Sequence, residues 1–192
     1  MGTLQGKVVS VFVGAGGTLS KCSEPRLEFA FDGVVGDRHR GLTRKAWALT
    51  DKQPEGTERR NERQWSAVAQ EDLDRVSTEL DLETPLTAGD VAVNLSISGV
   101  PDFSRLPRGT TLVFEGGVVL MVEEYNPPCS RMSKHLSETL TAASGGPIAD
   151  DAFISASKFS RGLVGVVEVP GFLSPGESVE VHPEHLPKWL RD

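Results

Sequence analysis

The segment "TTLVFEGGVVLMVEEY" (residues 110–125) contains two apolar runs that are separated by a pair of glycines. The runs, "TTLVFE" (residues 110–115) and "VVLMVEEY" (residues 118–125), are rich in the β-branched and aromatic residues that are typical of strands. Gly116-Gly117 between them is a signal for a hairpin turn. The segment therefore predicts an antiparallel hairpin in a fold made mainly of strands.

Further strand-like runs lie at short spacing on both sides of this hairpin. They are "KVVSVFV" (residues 7–13), "RLEFAF" (26–31), "RQWSAVA" (63–69), "DVAVNLSI" (90–97), "RGLVGVVEV" (161–169) and "ESVEVH" (177–182). Helical spacing of Leu73, Val76 and Leu80 predicts a helix over residues 71–80, and a second is expected from Ser130 to about Ala143. Seven or eight short strands with two helices favour a sandwich or a barrel over alternating β-α-β units.

Length, charge and hydropathy exclude several classes of protein. The 192 residues are compatible with one domain over residues 1–192. A net charge of −7 argues against general affinity for nucleic acid or for an anionic membrane. The first residues read as a strand and not as a signal peptide, and the longest unbroken apolar run, residues 118–122, is too short to span a bilayer. We therefore expect a cytoplasmic protein whose two cysteines are free thiols, with a Cys22–Cys129 disulfide as the less favoured alternative.

A long polar stretch, residues 36–62, has little periodicity, and such loops are usually functional or disordered. It begins with "GDRHRG" (residues 36–41), in which Asp37 and His39 could orient a reacting group or simply form a polar turn. Five acidic residues between Gly36 and Trp65 face eight basic ones, namely Arg38, Arg40, Arg44, Lys45, Lys52, Arg59, Arg60 and Arg63. The surplus of positive charge suits a small anionic ligand, but ion pairs within a solvated loop also explain it, and the composition slightly favours the second interpretation.

Cys129 lies in "EEYNPPCSRM" (residues 123–132), between a predicted strand and a predicted helix. Thiolates are favoured near helix N-termini and near cations, and Arg131 and Lys134 follow closely. This setting suits a nucleophile, a persulfide carrier or a ligand for a soft metal. A buried, inert cysteine is the alternative, although the polar flanks argue against it. Cys22 has no comparable setting, and we interpret it as structural or incidental.

Other short matches do not indicate sites. "HPEH" (residues 182–185) places two histidines three apart, without further Cys or His partners nearby for a metal. "GAGGTL" (residues 14–19) fails the dinucleotide-binding pattern, because Leu19 stands where the third glycine belongs.

Taken together, these stretches resemble the MOSC domain, the module named for the C-terminal part of molybdenum cofactor sulfurase. "FDGVVGDRHRG" resembles the family's G-D-x-H motif, "LTAGDVAVNLSISGV" resembles the segment with its Asn-Leu signature, and "NPPCSRM" resembles its Pro-Cys motif. "GKVVSVFVG", "RQWSAVAQEDLDRV" and "RGLVGVVEVPGFLSPGESVEV" resemble its first strand, a strand with its helix, and its closing hairpin. The motifs occur in the family's order over nearly the whole chain, which is similar to small stand-alone bacterial members.

The resemblance implies a mainly β fold, a closed β-barrel with a few flanking α-helices. Family members bind molybdenum cofactor (molybdopterin) or handle its sulfur, and pyridoxal phosphate binding is a further expectation. In enzymatic relatives the cysteine that matches Cys129 is a thiolate ligand of molybdenum, and these relatives reduce N-hydroxylated compounds. Some carry an additional N-terminal β domain, so an enzyme without it would need its own loop or another protein to close the pocket.

The resemblance also implies roles for individual residues. Cys129, Asp37 and His39 form the expected catalytic group, with Cys129 as the metal ligand. Arg63 is the first candidate for a contact with the cofactor phosphate, and Arg60 is the second. The remaining residues expected to bind or shape the cofactor site are Gly36, Arg38, Asn94, Asn126 and Arg131.

Alternative functions remain open at this point. A carrier would hold a persulfide or the cofactor at Cys129, and a reductase would need an electron-donor protein, just as a sulfur carrier would need a sulfur-donor protein. A Cys–His hydrolase would use Cys129 with His39 or His135 as base. A non-catalytic barrel would only bind an anion or a partner protein.

Overall fold

The computed structural model describes residues 2–48 and 51–184, so that His185 of "HPEH" lies outside the described residues. The strands are β1 Leu4–Val13, β2 Cys22–Ser23, β3 Leu27–Ala30, β4 Gly33–Val34, β5 Thr43–Lys45, β6 Glu58–Arg60, β7 Trp65–Ala69, β8 Leu95–Ser98, β9 Thr111–Phe114, β10 Val119–Tyr125, β11 Leu163–Val169, β12 Gly171–Leu173 and β13 Ser178–His182. The α-helices are α1 Gln70–Glu79, α2 Ser130–Thr139 and α3 Ala152–Ala156.

Seven strands close into a barrel in the order β1-β13-β9-β10-β11-β7-β8 and back to β1. Closure depends on the pairing of β1 with β13, in which Leu4 lies opposite Val181. Neighbouring strands are antiparallel except for β7 and β8, which run parallel. This architecture confirms the expected mainly β, closed barrel with a few flanking helices.

The barrel interior is filled by the apolar side chains that alternate along the strands. In β13 the side chains of Val179 and Val181 are buried while their neighbours are exposed, as the two-residue period of a strand requires. Trp65 and Phe114 are among the largest side chains in this core. A second apolar cluster joins the three α-helices to the segment before β8. Burial of each such side chain stabilises the fold by about 1.5–3 kcal/mol.

The hairpin expected over residues 110–125 is present as β9 and β10. The Phe114 amide donates to the Val118 carbonyl at 2.9 Å, and the Gly117 amide donates to the Phe114 carbonyl at 2.8 Å. Gly117 has a φ of 90°, in the left-handed region that glycine adopts most easily. The glycine pair therefore ends one strand and starts the next, as predicted.

Four expectations need correction. Only Leu95–Ser98 of residues 90–97 is a strand, because Asp90 accepts hydrogen bonds from Thr87 in a turn and Ala92 has a φ of 57°. The second helix ends at Thr139 and not near residue 143. The segment expected as a closing hairpin contains three strands that do not pair with one another: β11 pairs with β10 and β7, β12 with β3, and β13 with β9 and β1. The polar stretch contains the separate hairpin β5–β6.

No helix among the described residues has both the length and the apolar character needed to cross a bilayer.

Candidate functional site

A cleft of about 1150 Å³ opens at one side of the barrel. Its walls come from the loop after β1, the β5–β6 hairpin with the residues that follow it, the end of β10 and the start of α2. The cleft brings together seven of the ten residues that the sequence indicated, namely Arg38, His39, Arg63, Asn94, Asn126, Cys129 and Arg131. These residues are distributed over nearly a hundred positions of the chain, and the barrel places them around one space.

Cys129 occupies the N-cap position of α2, with a φ of −128° and a ψ of 154°. Its thiol is free and exposed, and its carbonyl accepts a hydrogen bond from the Ser133 amide at 3.0 Å. The N-terminus of a helix carries partial positive charge, and the first turn of α2 has no acidic residue to offset it. Cys22 is also free and exposed, but it lies on β2 and does not line the cleft.

Asp37 is buried beneath the cleft and does not line it. Its carboxylate accepts hydrogen bonds from Lys21 Nζ at 2.6 Å, Asn94 Nδ2 at 2.9 Å and the Gly14 amide at 3.1 Å. Burial alone would raise the pKa of Asp37, but hydrogen bonds from His39 and the positive charge of Lys21 hold it well below its usual range. Burial lowers the pKa of Lys21 to about 8, against the opposing effect of Asp37. The Asp37 carboxylate is therefore ionised at neutral pH, and its hydrogen bonds are made within the protein.

His39 lines the cleft, as does Arg38 before it. Its amide and its Nδ1 lie 3.0 Å and 3.1 Å from Asp37 Oδ1. Because Asp37 is an ionised acceptor, Nδ1 carries the proton and donates it, which leaves Nε2 available to the cleft.

The Cys–His hydrolase interpretation requires a base within hydrogen-bond reach of the nucleophile. His39 and His135 both line the cleft with Cys129, but no hydrogen bond connects either histidine to Cys129 in the described part of the chain. His135 Nε2 instead lies 3.3 Å from the Ser20 hydroxyl. The structure therefore offers no observation that favours hydrolysis.

Asn94 uses all of its hydrogen-bonding capacity within the protein. Its Oδ1 accepts from the Ser66 amide at 3.2 Å and from the Ser66 hydroxyl at 3.0 Å. Its Nδ2 donates to the Phe12 carbonyl at 3.0 Å and to Asp37. Of the two roles expected for Asn94, the geometry matches the shaping of the pocket better than direct contact with a ligand.

The arginines that the sequence indicated have different environments. Arg38 lines the cleft, where its guanidinium donates to the carbonyls of Thr18 and Leu19. Arg63 is half-buried, and its Nη2 donates to Asn126 Oδ1 at 2.6 Å. Arg131 is exposed at the start of α2.

Arg60 and Gly36, which were expected to contact the cofactor, lie outside the lining of the cleft. Arg60 forms an ion pair with Glu123 at 2.6 Å, whereas the neighbouring Glu124 lines the cleft. Glu123 lies at an irregularity of the β10–β11 pairing, between Val122 and Glu124, and both it and Val122 are buried. Gly36 has a φ of 83° and shapes the turn that carries Asp37.

Sequence reasoning missed Arg161, which lines the cleft and is only 7% exposed. Its Nη2 donates to the Val91 carbonyl, while Nε and Nη1 have no hydrogen-bond partner among the described residues. Burial lowers the pKa of Arg161 to about 10, partly offset by the nearby Cys129. The available signal was a charged residue at the head of the apolar run "RGLVGVVEV".

The β5–β6 hairpin combines both explanations of the basic stretch. Arg44 donates to both Asp51 carboxylate oxygens at 2.7 Å and also binds Glu62, and Arg59 pairs with the same two acids. The Trp47 ring lies 4.4 Å from the Arg44 guanidinium and is 45% exposed at the cleft. The hairpin therefore neutralises some of its own charges, and Arg63 remains directed toward the cleft.

The donor set limits the kinds of cofactor that fit. The described residues contain no cluster of three or more His, Cys, Asp or Glu side chains that could hold a metal ion. A metal at this site would therefore take a single thiolate from the protein and its other ligands from a cofactor, and the volume and positive charge suit an anionic organic one. No lysine is among the described residues that line the cleft, so the usual anchor of pyridoxal phosphate is missing there.

Comparison with known proteins agrees with this architecture. The family model of the MOSC domain matches residues 41–180. The YuaD protein of Bacillus subtilis (strain 168), which is named for metal-sulfur cluster biosynthesis, is 32% identical over 157 residues, covering 82% of this chain and 80% of YuaD.

Two solved structures have the same fold. The crystal structure of Bacillus subtilis YuaD superposes with a TM-score of 0.87 at 27% identity, covering 96% of this chain and 99% of that one. The crystal structure of YiiM from Geobacillus stearothermophilus has a TM-score of 0.58 at 18% identity, covering 92% and 75% of the two chains. The sequence motifs, the barrel and these matches lead to one conclusion: the chain belongs to the MOSC domain family.

Proposed function

We propose that this MOSC protein binds molybdenum cofactor with Cys129 as the thiolate ligand of the metal, and that it reduces N-hydroxylated substrates. The observation that supports the proposal best is the free Cys129 thiol at the N-terminus of α2, in a cleft that is also lined by Arg63 and Arg161. Membership of the MOSC family and the name of YuaD support a role in molybdenum-cofactor or sulfur chemistry.

The cleft has the properties that such a cofactor requires. Its volume of about 1150 Å³ exceeds that of most small-molecule sites. The Cys129 thiol is a soft ligand that suits molybdenum, and Arg63 can donate to a phosphate group. When bound, the cofactor supplies a metal centre that can take up or release an oxygen atom. The protein supplies the ligand, the anion contacts and the walls.

Other residues of the cleft have roles that follow from their contacts. His39 lines the cleft, and its ring can hold or deliver a proton at Nε2 while Nδ1 is bonded to Asp37. Trp47, Arg44 and Asp51 form the wall of the cleft that belongs to the β5–β6 hairpin. An electron-donor protein is part of the proposal, because the sequence shows no flavin or iron–sulfur signature.

A second candidate is a carrier that holds a persulfide or the cofactor itself on Cys129. The observation that favours it is the exposure of the thiol, which a donor or acceptor protein could reach directly. An assay of N-hydroxylated substrate with a chemical reductant separates the two candidates, because a carrier does not turn the substrate over.

The proposal is tested by metal and pterin content. Wild type, Cys129→Ala and Cys22→Ala are expressed in a host that makes molybdenum cofactor, with added molybdate, and purified without oxygen. We expect molybdenum and fluorescent oxidised pterin near one per chain in wild type and in Cys22→Ala. Loss of the metal ligand should lower both in Cys129→Ala by about tenfold or more.

Equal cofactor content in wild type and Cys129→Ala would contradict the proposed ligand. Absence of cofactor from all three proteins, with a persulfide on Cys129 and not on Cys22 in the intact-protein mass, would favour the carrier. If the purified proteins carry no cofactor and no persulfide, both candidate functions are contradicted.

A further inference from the structure

The guanidinium group of Arg161 is buried without enough partners. Its exposed fraction is 7%, its Nη2 donates to the Val91 carbonyl, and its Nε and Nη1 have no acceptor in the described part of the chain. A buried charged group with unsatisfied donors is costly, because the hydration lost on burial is not replaced. Since the side chain lines the cleft, an acceptor for these donors can come from a ligand.

Arg63 increases the cost. The two guanidinium groups lie close enough for the charge of Arg63 to lower the pKa of Arg161, and burial lowers the pKa of Arg63 itself. Among residues 2–48 and 51–184, no carboxylate lies within 4.0 Å of either guanidinium group, and Glu124 and Glu62 act on Arg63 only from a greater distance. Two neighbouring cations without a carboxylate partner favour a bound anion.

The lining of the whole cleft also carries a net positive charge. Its described lining contains five arginines and two acids, Asp51 and Glu124, in a chain whose net charge is −7. Arg44 is already paired with Asp51, and Arg38 donates to backbone carbonyls. Half-buried Arg63 and buried Arg161 are therefore the cleft arginines whose N–H groups are available to a ligand.

We propose that Arg161 and Arg63 form an oxyanion-binding subsite next to Cys129, which takes a carboxylate or phosphate group of the small molecule that meets the thiol. Guanidinium groups suit such ligands, because several oxygen lone pairs can accept N–H donors from both arginines at once. This inference rests on the proposed function, because it assumes that the ligand contacts Cys129. Its test, however, needs no molybdenum.

The test compares alkylation of the apoprotein by iodoacetate and iodoacetamide, which differ only in carboxylate against amide. In both reactions the thiolate sulfur forms a bond to the CH₂ carbon and iodide leaves with the electron pair of the C–I bond. Rates are measured separately at Cys129 and Cys22 by peptide mass mapping, so Cys22 is an internal control for an exposed thiol outside the cleft.

We expect the iodoacetate-to-iodoacetamide rate ratio to be about tenfold higher at Cys129 than at Cys22 at low ionic strength. Arg161→Met should reduce the ratio at Cys129 to that of Cys22, whereas Arg60→Met, which removes an arginine outside the cleft, should leave it unchanged. In wild type, millimolar inorganic phosphate or acetate should slow iodoacetate at Cys129 only. The anion that slows alkylation more at equal concentration shows whether the subsite prefers phosphate or carboxylate.

Equal ratios at the two cysteines of wild type, with no protection by either anion, would overturn the subsite. This arm needs no substitution, so a poorly folded Arg161→Met would not leave the proposal untested. A protein that fails this test but binds molybdenum through Cys129 would keep the proposed function and lose the subsite.

Discussion

Asp37 and His39 are two positions apart, yet they serve different parts of the molecule. The Asp37 side chain is buried with Lys21, while the His39 ring lines the cleft. The sequence motif placed both residues at the site, but it could not assign their roles. That division depends on which donors surround the carboxylate, and these come from positions 14, 21, 39 and 94.

Asp37→Asn should therefore reduce stability strongly. The substitution leaves the buried Lys21 ammonium without its counter-charge and places an amide among several donors. Breaking a buried pair of this kind costs about 3–5 kcal/mol. The free energy of unfolding in urea measures the effect. As the matched control, Asp32→Asn removes the half-exposed pair with Arg40 and should cost less than about 1 kcal/mol.

The difference in the free energy of unfolding between wild type and Asp37→Asn should depend on pH. The pKa of Asp37 is lower in the folded protein than in the unfolded chain, so the unfolded chain binds a proton first as the pH falls. The stabilisation by Asp37 is thus complete above about pH 4, the ordinary value for aspartate, and decreases below it. Unfolding measured at several pH values should show wild type approaching Asp37→Asn in acid. A constant difference between the two down to low pH would contradict this.

Cys129 and Arg161 show the limits of sequence reasoning at single residues. The position of Cys129 before a helix is a local property, and the structure places the residue at the N-cap as expected. Arg161 has no local signal beyond its charge. Its environment is set by the Val91 carbonyl, which accepts its one hydrogen bond, and by the charge of Arg63, and both residues are far away in the chain. The sequence also does not show that Arg60 pairs with Glu123, because the two residues lie on different strands that are distant in the chain.

At the scale of elements, the β5–β6 hairpin differs most from expectation. Its strands have three residues each and lack the apolar alternation by which strands are predicted. Arg44 opposite Arg59 across the hairpin would repel it, but Asp51 and Glu62 lie between the two charges. Ion pairs rather than an apolar face therefore hold this element, and a hydropathy pattern cannot show that.

Asp51→Asn should open the hairpin while leaving the barrel intact. Asp51 accepts from Arg44, Arg59 and the Trp47 amide, so its charge joins three parts of the segment. Local opening should increase trypsin cleavage after Lys45 and Lys52 by about tenfold. Timed proteolysis followed by mass spectrometry measures this rate.

Glu58→Gln is the control for the hairpin, because it changes an exposed contact with Thr43 in the same element. Its cleavage rate should stay close to that of wild type. If Asp51→Asn and Glu58→Gln are cleaved equally slowly, the ion pairs do not determine the order of the hairpin.

At the scale of the whole molecule, the barrel depends on close approach of strands that are distant in sequence. Gly165 on β11 lies where an added Cβ would overlap the Met121 carbonyl of β10 and the Trp65 ring of β7. Trp65 Nε1 donates to the Val166 carbonyl at 2.9 Å, which fixes the ring against β11. The position therefore requires glycine because of space and not because of its backbone conformation.

Gly165→Ala should destabilise the entire barrel. Overpacking costs about 1–3 kcal/mol in typical cores, and overlap with a backbone oxygen places this site at or above the upper end. Thermal unfolding followed by circular dichroism measures the loss. Gly146→Ala, whose added Cβ would have ordinary contacts only, should stay within about 0.5 kcal/mol of wild type. Similar melting temperatures for the two variants would show that β11 can move to make room.

The sequence by itself determined the features that depend on neighbouring residues: the β9–β10 hairpin, most of the strands, the helix after Cys129 and the family motifs. Only the tertiary structure decided the closure of β1 on β13, the burial of Asp37, the ion-paired hairpin and the place of Arg161 in the cleft. The physical reason is that hydropathy period and turn chemistry act over a few residues. Strand register, side-chain facing and charge partners instead join positions as far apart as Leu4 and Val181, and no short pattern in the chain records them.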